Sequence, residues 1–257
     1  MKKPVVSVIV TTYNRREFLT ETLKSIINQT YRNLEIIVVD GMSNYDVAEL
    51  LISFKDDRIS YYQNPNNGNI ARNRNFGLSK KGSNIVAFCD DDDLWFPSKI
   101  EKQVSQIDFN AGGQIVYSDR IIFAEDGLRK YQSSKKISNI DDFLKTNPIT
   151  FSSVLIHHGG EYSFNESEFI VASEDFYLYT QLLNDGFEFI HIEEALIEYR
   201  FSKNSTYNQN IWKSYLRYNI VLFAFLIKSK DRKINVAKFL YFSCLRLLKS
   251  IVKKKIV

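Results

Sequence analysis

Residues 5–117 alternate between apolar runs of strand length and amphipathic segments of helical length. Val5–Val10 is a continuous run rich in β-branched residues, which is typical of a strand buried on both faces. Strand–helix alternation implies right-handed crossovers, and therefore an α/β fold with a single, mostly parallel, Rossmann-like sheet flanked by helices. The pattern predicts strands over 5–10, 34–39, 59–63, 85–89 and 115–117, and helices over 15–28, 46–54, 70–81 and 98–109.

The alternation loosens after residue 125. A polar loop is predicted first, and a helix that begins at Glu174 is predicted to stop at Asn184-Asp185-Gly186. We predict one domain over 1–206, in halves 1–119 and 120–206, followed by a basic, helical extension over 207–257. The predicted segments are a loop over 126–139, helices over 140–146, 174–183, 211–227 and 235–252, and apolar runs over 151–156, 187–192 and 195–199.

Composition narrows the class of protein. Hydrophobic residues make up 44% of the 257 residues, which is enough for a sizeable core. Cys89 and Cys244 are far apart and neither has a CxxC partner, so a zinc knuckle is excluded and a disulfide framework is not expected. The apolar N-terminal run is interrupted by Thr11 and Thr12 before any cleavage site, so we expect a cytoplasmic protein rather than a secreted one.

Charge is distributed unevenly along the chain. Residues 228–257 carry ten Lys/Arg and one acid, a net of +9, which leaves −5 on the rest because the total is +4. With their aromatic and leucine side chains, these residues predict an amphipathic segment attracted to an anionic membrane surface. The alternative is a solvated basic face packed on the body of the protein. No recognition motif supports nucleic-acid binding.

Polar residues follow four of the predicted strands. Thr11 to Tyr13 follow the first strand, Asp40 the second, Asn66-Asn67-Gly68 the third and Asp90 to Asp93 the fourth. Parallel strands end at one edge of a sheet, so these residues should converge there. Four adjacent carboxylates raise one another's pKa values, and a divalent cation such as Mg²⁺ or Mn²⁺ removes that repulsion. The alternative for the acidic run is a helix cap or a solvated turn.

Several nucleotide-binding classes lack support. The chain has no GxxxxGK[ST] motif, which disfavours a P-loop ATPase, and no GxGxxG motif after the first strand, which disfavours a dinucleotide fold. An aspartyl phosphatase would carry its acidic motif after the first strand, whereas the acidic run here follows the fourth.

Taken together, these segments resemble the inverting family 2 glycosyltransferases of the GT-A fold. The resemblance covers roughly residues 5–206 and is densest, and in order, over the first hundred. It implies transfer of a sugar from a nucleotide-sugar, in particular a UDP-sugar, to a saccharide hydroxyl in bacterial surface polysaccharide or O-antigen synthesis. The matching segments are SVIVTTYNR (7–15), SIINQTYRNLEIIVVDGMS (25–43), RNFG (74–77), DDDDLWFP (90–97), SEDFYLYTQLL (173–183) and YRFSKNS (199–205).

The resemblance also implies roles for individual residues. The first half would bind the nucleotide and the second half the acceptor, and Mn²⁺ or Mg²⁺ would assist departure of the diphosphate. Asp175 corresponds to the catalytic base, with Glu174 beside it. Asp90 and Asp92 correspond to the two acids of the DxD motif, with Asp92, together with Asp90, at the metal. The remaining implied donor contacts are Thr11 and Tyr13 near the base, Asp40 at base and ribose, Arg74 near the diphosphate, and Asp91.

Two positions depart from the family pattern. Gly41 stands where many relatives have a second acid, and Ser202 stands where relatives often have a histidine close to the metal. They favour the alternative of a catalytically silent nucleotide-sugar-binding module in a polysaccharide assembly complex. A sugar-nucleotide pyrophosphorylase would need a glycine-rich basic loop after the first strand, which TTYNRREF is not. A lipid-linked acceptor would explain a protein bound peripherally to the inner face of the plasma membrane.

Overall fold

A computed structural model of the chain describes residues 3–65, 69–124, 126–144, 146–201, 211–228 and 239–245. Within these ranges nine strands form one sheet in the order β3-β2-β1-β4-β8-β6-β9-β5, and β7 pairs with β6. The strands are β1 Val6–Thr12, β2 Leu34–Asp40, β3 Ile59–Gln63, β4 Ile85–Asp90, β5 Leu94–Trp95, β6 Gln114–Phe123, β7 Arg129–Gln132, β8 Leu155–His157 and β9 Glu188–Arg200. The helices are α1 Arg16–Ile27, α2 Val47–Ser53, α3 Ile70–Lys80, α4 Lys99–Val104, α5 Glu174–Asn184 and α6 Ile211–Lys228.

The first four strands form a parallel block, as predicted. β1 lies between β2 and β4, and all seven of its residues are buried, which is why its sequence is apolar without alternation. Successive side chains point to opposite faces, so Val8 and Val10 pack with α1 while Ile9 packs with α3. A Cβ at Gly77 in α3 would lie 2.6 Å from Cγ2 of Ile9, so glycine is what allows α3 to approach the sheet.

The second half makes the sheet mixed. β8 is antiparallel to β4 and β6, β5 is antiparallel to β9, and β6 and β9 are parallel. The loop predicted over 126–139 contains β7, which forms a hairpin with β6 through a turn at Gly127 with φ 85°. All four β7 residues are exposed, so this edge strand has no apolar pattern to reveal it. The two strands predicted over 187–199 are one strand, β9, whose register with β6 shifts on either side of Asp119.

Two predicted helices are shorter in the structure. α4 ends at Val104 rather than at residue 109. The helix predicted over 140–146 is a single 3₁₀ turn, Ile140–Phe143. Pro148 follows closely, and the residue before a proline is disfavoured in helical conformation, so a helix is not expected to continue through Asn147.

Part of the C-terminal extension is described. α6 packs against α5, and residues 239–245 are helical. The rest of the predicted extension lies outside the described residues, as do Asn66, Asn67, Gly68 and Ser202. Among the helices that are described, none has the length and hydropathy needed to cross a membrane.

Candidate active site

The carboxyl ends of β1, β2 and β4 meet at one edge of the sheet. Thr11 pairs in register with both Val39 and Asp90, and Thr12 pairs with Asp40. The predicted convergence of the polar strand ends is therefore confirmed for β1, β2 and β4.

The acidic run begins at Asp90, the last residue of β4. Asp91 is buried and accepts hydrogen bonds from Thr12 Oγ1 at 2.7 Å and from Arg15 at 3.0 Å. The same Arg15 nitrogen donates to Asp92 at 2.8 Å. Burial, and next the charge of Asp90, raises the pKa of Asp92, and burial raises the pKa of Asp91 to about 6. Burial is the largest cause of both pKa shifts, and the positive charge of Arg15 opposes it without cancelling it.

Asp93 has a different role from its neighbours. It is buried and accepts hydrogen bonds from Ser152 Oγ at 2.6 Å and from the backbone N–H of Arg200 at 3.0 Å. It therefore does not cap the following helix, whose N-cap residue is Ser98. Trp95 is buried and donates to the Ser152 carbonyl at 3.0 Å, so it serves packing. Through these hydrogen bonds, Asp93 and Trp95 connect the acidic run to the second half of the sheet.

Ser152→Ala should test the contribution of these hydrogen bonds to stability. Ser152 Oγ donates to Asp93 and accepts from the backbone N–H of Asp90 at 3.0 Å, so alanine leaves both groups buried without that partner. We expect a loss of about 1–3 kcal/mol in the free energy of unfolding, measured by urea denaturation. Ser79→Ala, at an exposed serine, is the control and should be neutral. An unchanged urea midpoint for Ser152→Ala would contradict the assignment.

Arg74 joins the acidic run to the second half of the chain. Its guanidinium donates to Asp90 at 2.8 Å and to Glu174 at 2.8 Å, and it stacks 3.6 Å from the ring centroid of Phe151. The side chain is 4% exposed. Arg74 therefore holds Asp90 and Glu174 together, and its contact with the donor's diphosphate stays a prediction.

The acid pair Glu174 and Asp175 begins α5. Glu174 is buried behind Arg74, and its Oε2 accepts no hydrogen bond from the described residues. Asp175 is partly exposed and accepts a hydrogen bond from Asn147 Nδ2 at 3.3 Å. Burial, together with the charge of Glu174, raises the pKa of Asp175 to about 7. A carboxylate with such a pKa is suited to general-base catalysis near neutral pH, so of the two acids Asp175 is the one placed to act as a base.

The residues predicted to contact the base and ribose differ in accessibility. Tyr13 is exposed and Thr11 is nearly buried. Asp40 is fully buried and accepts hydrogen bonds from Ser43 N at 2.9 Å and from Tyr61 Oη at 3.1 Å. These bonds hold a turn in which Met42 has φ 72°, a conformation that is costly for a non-glycine residue. Contact between Asp40 and a donor therefore requires movement of this turn.

The neighbourhood of Gly41 explains how the chain accommodates the missing acid. A Cβ at Gly41 would lie 3.0 Å from Nδ2 of Asn73, whose Oδ1 accepts a hydrogen bond from Asn64 at 3.2 Å. The side-chain amide of Asn73 thus lies close to the space that the side chain of an acid at position 41 would enter.

Two residues of the site were missed by sequence reasoning. Arg15 lies inside a matching segment, SVIVTTYNR, but nothing local shows that it reaches the acidic run 76 positions away. Asn147 stands in an Asn-Pro dipeptide, which marks a turn. That signal could have drawn attention to it, although not to its contact with Asp175.

The three histidines make packing contacts and one ion pair. His191 pairs with the buried Asp119 at 2.7 Å and stacks on Tyr117, while His157 and His158 contact Phe109 and Phe187. Among the residues that the structure describes, no group of three or more His, Cys, Asp or Glu side chains is arranged to hold a metal ion.

Two carboxylates of the acidic run nevertheless fit a divalent cation shared with a ligand. Asp90 and Asp92 are 29% and 23% exposed at their side chains, whereas Asp91 and Asp93 are buried. Their oxygens are the hard donors that Mg²⁺ and Mn²⁺ prefer, and such ions commonly use one or two carboxylates plus phosphate oxygens. Within the described residues Arg15 pairs with Asp91 and Asp92, and Arg74 pairs with Asp90 and Glu174, so four carboxylates share two guanidinium groups.

A parallel sheet edge with an acidic run, joined to a second acid pair at the start of α5, is the arrangement of a GT-A glycosyltransferase. The family profile described as glycosyl transferase family 2 matches residues 7–166. The chain belongs to this family and is a glycosyltransferase of polysaccharide biosynthesis.

Known proteins similar to this chain include two full-length relatives. The putative teichuronic acid biosynthesis glycosyltransferase TuaG of Bacillus subtilis is 30% identical over 82% of this chain and 84% of its own length. The UDP-Glc:alpha-D-GlcNAc-diphosphoundecaprenol beta-1,3-glucosyltransferase WfaP of Escherichia coli is 29% identical over 89% of each chain.

A solved structure shares the fold at lower identity. The mannosyltransferase PcManGT of Pyrobaculum calidifontis, in complex with GDP-Man and Mn²⁺, superposes with a TM-score of 0.66 at 16% identity. The match covers 98% of this chain and 76% of that one.

Proposed function

We propose that the protein inverts the anomeric centre as it transfers a sugar from a UDP-sugar to a hydroxyl of a lipid-linked saccharide acceptor. One observation carries the proposal. Arg74 bonds both Asp90 and Glu174, which brings the predicted base, Asp175, beside the acids predicted to hold the donor's diphosphate. The UDP-sugar and the diphosphate-lipid acceptor are supported by the similarity to WfaP, whose name states both for that relative.

Asp175 would remove the proton from the acceptor hydroxyl while the hydroxyl oxygen bonds to C1 of the donor sugar. The bond from C1 to the diphosphate oxygen breaks on the opposite face, and the nucleoside diphosphate leaves with the electron pair. Asn147 holds Asp175 through one carboxylate oxygen and leaves the other for the acceptor. Glu174 acts through Arg74 as a positioning residue. Its negative charge also adds to burial in raising the pKa of Asp175, so Asp175 loses its proton only as the pH approaches that raised pKa.

A divalent cation would be held by Asp92 and Asp90, and when bound it would supply positive charge to the departing diphosphate. Arg15 already contributes one positive charge beside Asp92. The candidate ligands are a pair of carboxylates with further carboxylates around them. Such oxygen donors favour Mg²⁺ or Mn²⁺ over softer ions.

A thermal-shift panel of UDP, GDP, dTDP and CMP, each with and without Mn²⁺, tests the donor site. A nucleotide at 100 times its Kd should stabilise the protein by about 2.7 kcal/mol, a rise of several degrees in Tm. We expect UDP to give the largest shift and Mn²⁺ to enlarge it. Asp92→Ala should remove the Mn²⁺-dependent part and nearly abolish turnover.

Asp57→Ala, at an exposed acid away from the strand ends, is the matched control and should behave as wild type. If no nucleotide shifts the Tm, the donor site is absent and the proposal fails. Full turnover in Asp92→Ala would overturn the metal assignment alone.

A silent nucleotide-sugar-binding module is the second candidate. The observations that favour it are Gly41 in place of an acid and the complete burial of Asp40. Such a module would show the nucleotide-dependent Tm shift but would neither transfer nor hydrolyse the donor. Product analysis with radiolabelled donor separates the two candidates.

We also propose that the protein works in the cytoplasm at the inner face of the plasma membrane. Support comes from the net charge of +9 over residues 228–257, which suits anionic headgroups. A lipid-linked acceptor would be presented at the same surface.

A further inference from the structure

Helix α6 is apolar on two opposite faces. Val221, Leu222 and Phe225 are buried against the body of the protein. On the other side Leu216, Phe223 and Ile227 are 59%, 56% and 70% exposed. At 3.6 residues per turn, these three side chains fall within about 40° of arc and form one stripe. We call Leu216, Phe223 and Ile227 the outer stripe.

An ordinary surface helix exposes polar residues opposite its packed face. The outer stripe instead presents large aliphatic and aromatic groups over three turns, and exposed apolar surface that is contiguous marks an interaction site. α6 contains no acidic residue. Its described basic side chains, Lys213 and Arg217, fall between the outer stripe and the packed face on one side of the helix.

We propose that the outer stripe of α6 is the surface by which this protein rests on an anionic lipid bilayer. An apolar stripe flanked by Lys and Arg is the pattern of a helix that lies in the plane of the membrane interface. Charge complementarity selects lipid over a protein partner of unknown chemistry, because the chain continues from Lys228 into the segment whose net charge is +9.

The position of α6 links this surface to catalysis. The ring of Tyr218 stacks on Phe176 with 4.2 Å between centroids, and Phe176 follows Asp175 directly. Packed helices lie about 8–10 Å apart, so a membrane under the outer stripe lies roughly two helix layers from the predicted base. Phe169, which is 77% exposed, belongs to a 3₁₀ turn that also contacts α6. Resting on the proposed function, this geometry presents Asp175 to an acceptor whose lipid stays in the bilayer.

Vesicle flotation of the full chain tests the inference. Wild type should float with phosphatidylcholine vesicles that contain phosphatidylglycerol, and much less with phosphatidylcholine alone. The triple variant Leu216→Ser, Phe223→Ser and Ile227→Ser should lower the partition coefficient at least about tenfold, because three side chains no longer enter the interface. Ile52→Ser, at an apolar residue on α2 that is 75% exposed, is the matched control and should bind as wild type.

A second measurement changes only one residue of the outer stripe. Cys89 is buried and Cys244 is exposed, so Phe223→Cys in a Cys244→Ser background offers one accessible thiol for an environment-sensitive dye. Its emission should shift to the blue on addition of anionic vesicles, whereas a dye at Ile52→Cys in the same background should not respond. This experiment decides the question if the triple variant fails to fold.

Three outcomes would overturn the inference: wild type that does not float, flotation unchanged by the triple substitution, or no response of the dye at position 223. A fall in molecular mass of the triple variant by light scattering, with vesicle binding intact, would assign the stripe to a second copy of this chain instead. The nucleotide-dependent Tm shift is measured on the same samples. Flotation that depends on the outer stripe, without any nucleotide-dependent Tm shift, would reject the proposed function but support the membrane surface. A nucleotide-dependent Tm shift without flotation that depends on the outer stripe would reject the membrane surface alone.

Discussion

Asp175→Asn is expected to keep nucleotide binding and to lower kcat for sugar transfer by about 10²–10⁴-fold, the usual contribution of a general base. Asparagine has the shape of aspartate but cannot take a proton from the acceptor hydroxyl. The proposed donor contacts at Thr11, Asp40 and Asp90 lie on β1, β2 and β4, away from α5, so the nucleotide-dependent Tm shift should remain. Asp185→Asn, at the exposed C-terminal end of the same helix, is the control and should transfer normally.

The pH profile gives an independent readout of the same residue. The pKa of Asp175 is raised to about 7, so the carboxyl is protonated and inactive as a base below that pH. In wild type kcat/KM should therefore rise with pH, with its ascending limb near 7, and level off above it. The limb should be absent from the residual activity of Asp175→Asn. Transfer that survives the substitution with an unchanged profile would show that the base is another residue.

Arg74→Met is expected to destabilise the protein by about 3–5 kcal/mol, the cost of leaving a buried charge without its partner. Asp90 and Glu174 share this one guanidinium, and the Glu174 side chain is 7% exposed. Methionine keeps much of the apolar contact with Phe151 and removes both ion pairs. Chemical denaturation at neutral pH measures the loss.

Arg72→Met, on the same helix but 48% exposed at its side chain, is the matched control and should cost little. A variant as stable as Arg72→Met would show that the two acids do not depend on Arg74.

Together the two substitutions separate chemistry from positioning. Asp175→Asn should impair the reaction in a stable protein, whereas Arg74→Met should impair the protein itself, because it cuts the connection between the donor half and the acid pair. Arg74→Lys should be intermediate, since a single ammonium cannot reproduce the two-pronged contact of the guanidinium.

The sequence by itself determined the fold of residues 1–119, the half that we propose binds the donor. Continuous apolar runs such as Val5–Val10 and Ile85–Cys89 suit only strands buried on both faces, and alternation with amphipathic helices suits only parallel connection. Parallel strands end at one edge, so Thr12, Asp40 and the acidic run had to meet there, and the register confirms that they do. The order of these motifs also sufficed to identify the family.

Only the tertiary structure decided how the second half completes the site. Arg74 and Glu174 are 100 positions apart, and Asn147 reaches Asp175 across 28, so neither contact leaves a local pattern in the sequence. β7 is exposed at every residue and has no apolar periodicity. The division of the acidic run into buried Asp91 and Asp93 and accessible Asp90 and Asp92 likewise depends on partners from β1 and β9. Hydrophobic periodicity reports which face of an element is buried, whereas the partner of a buried polar group is fixed only when distant segments pack together.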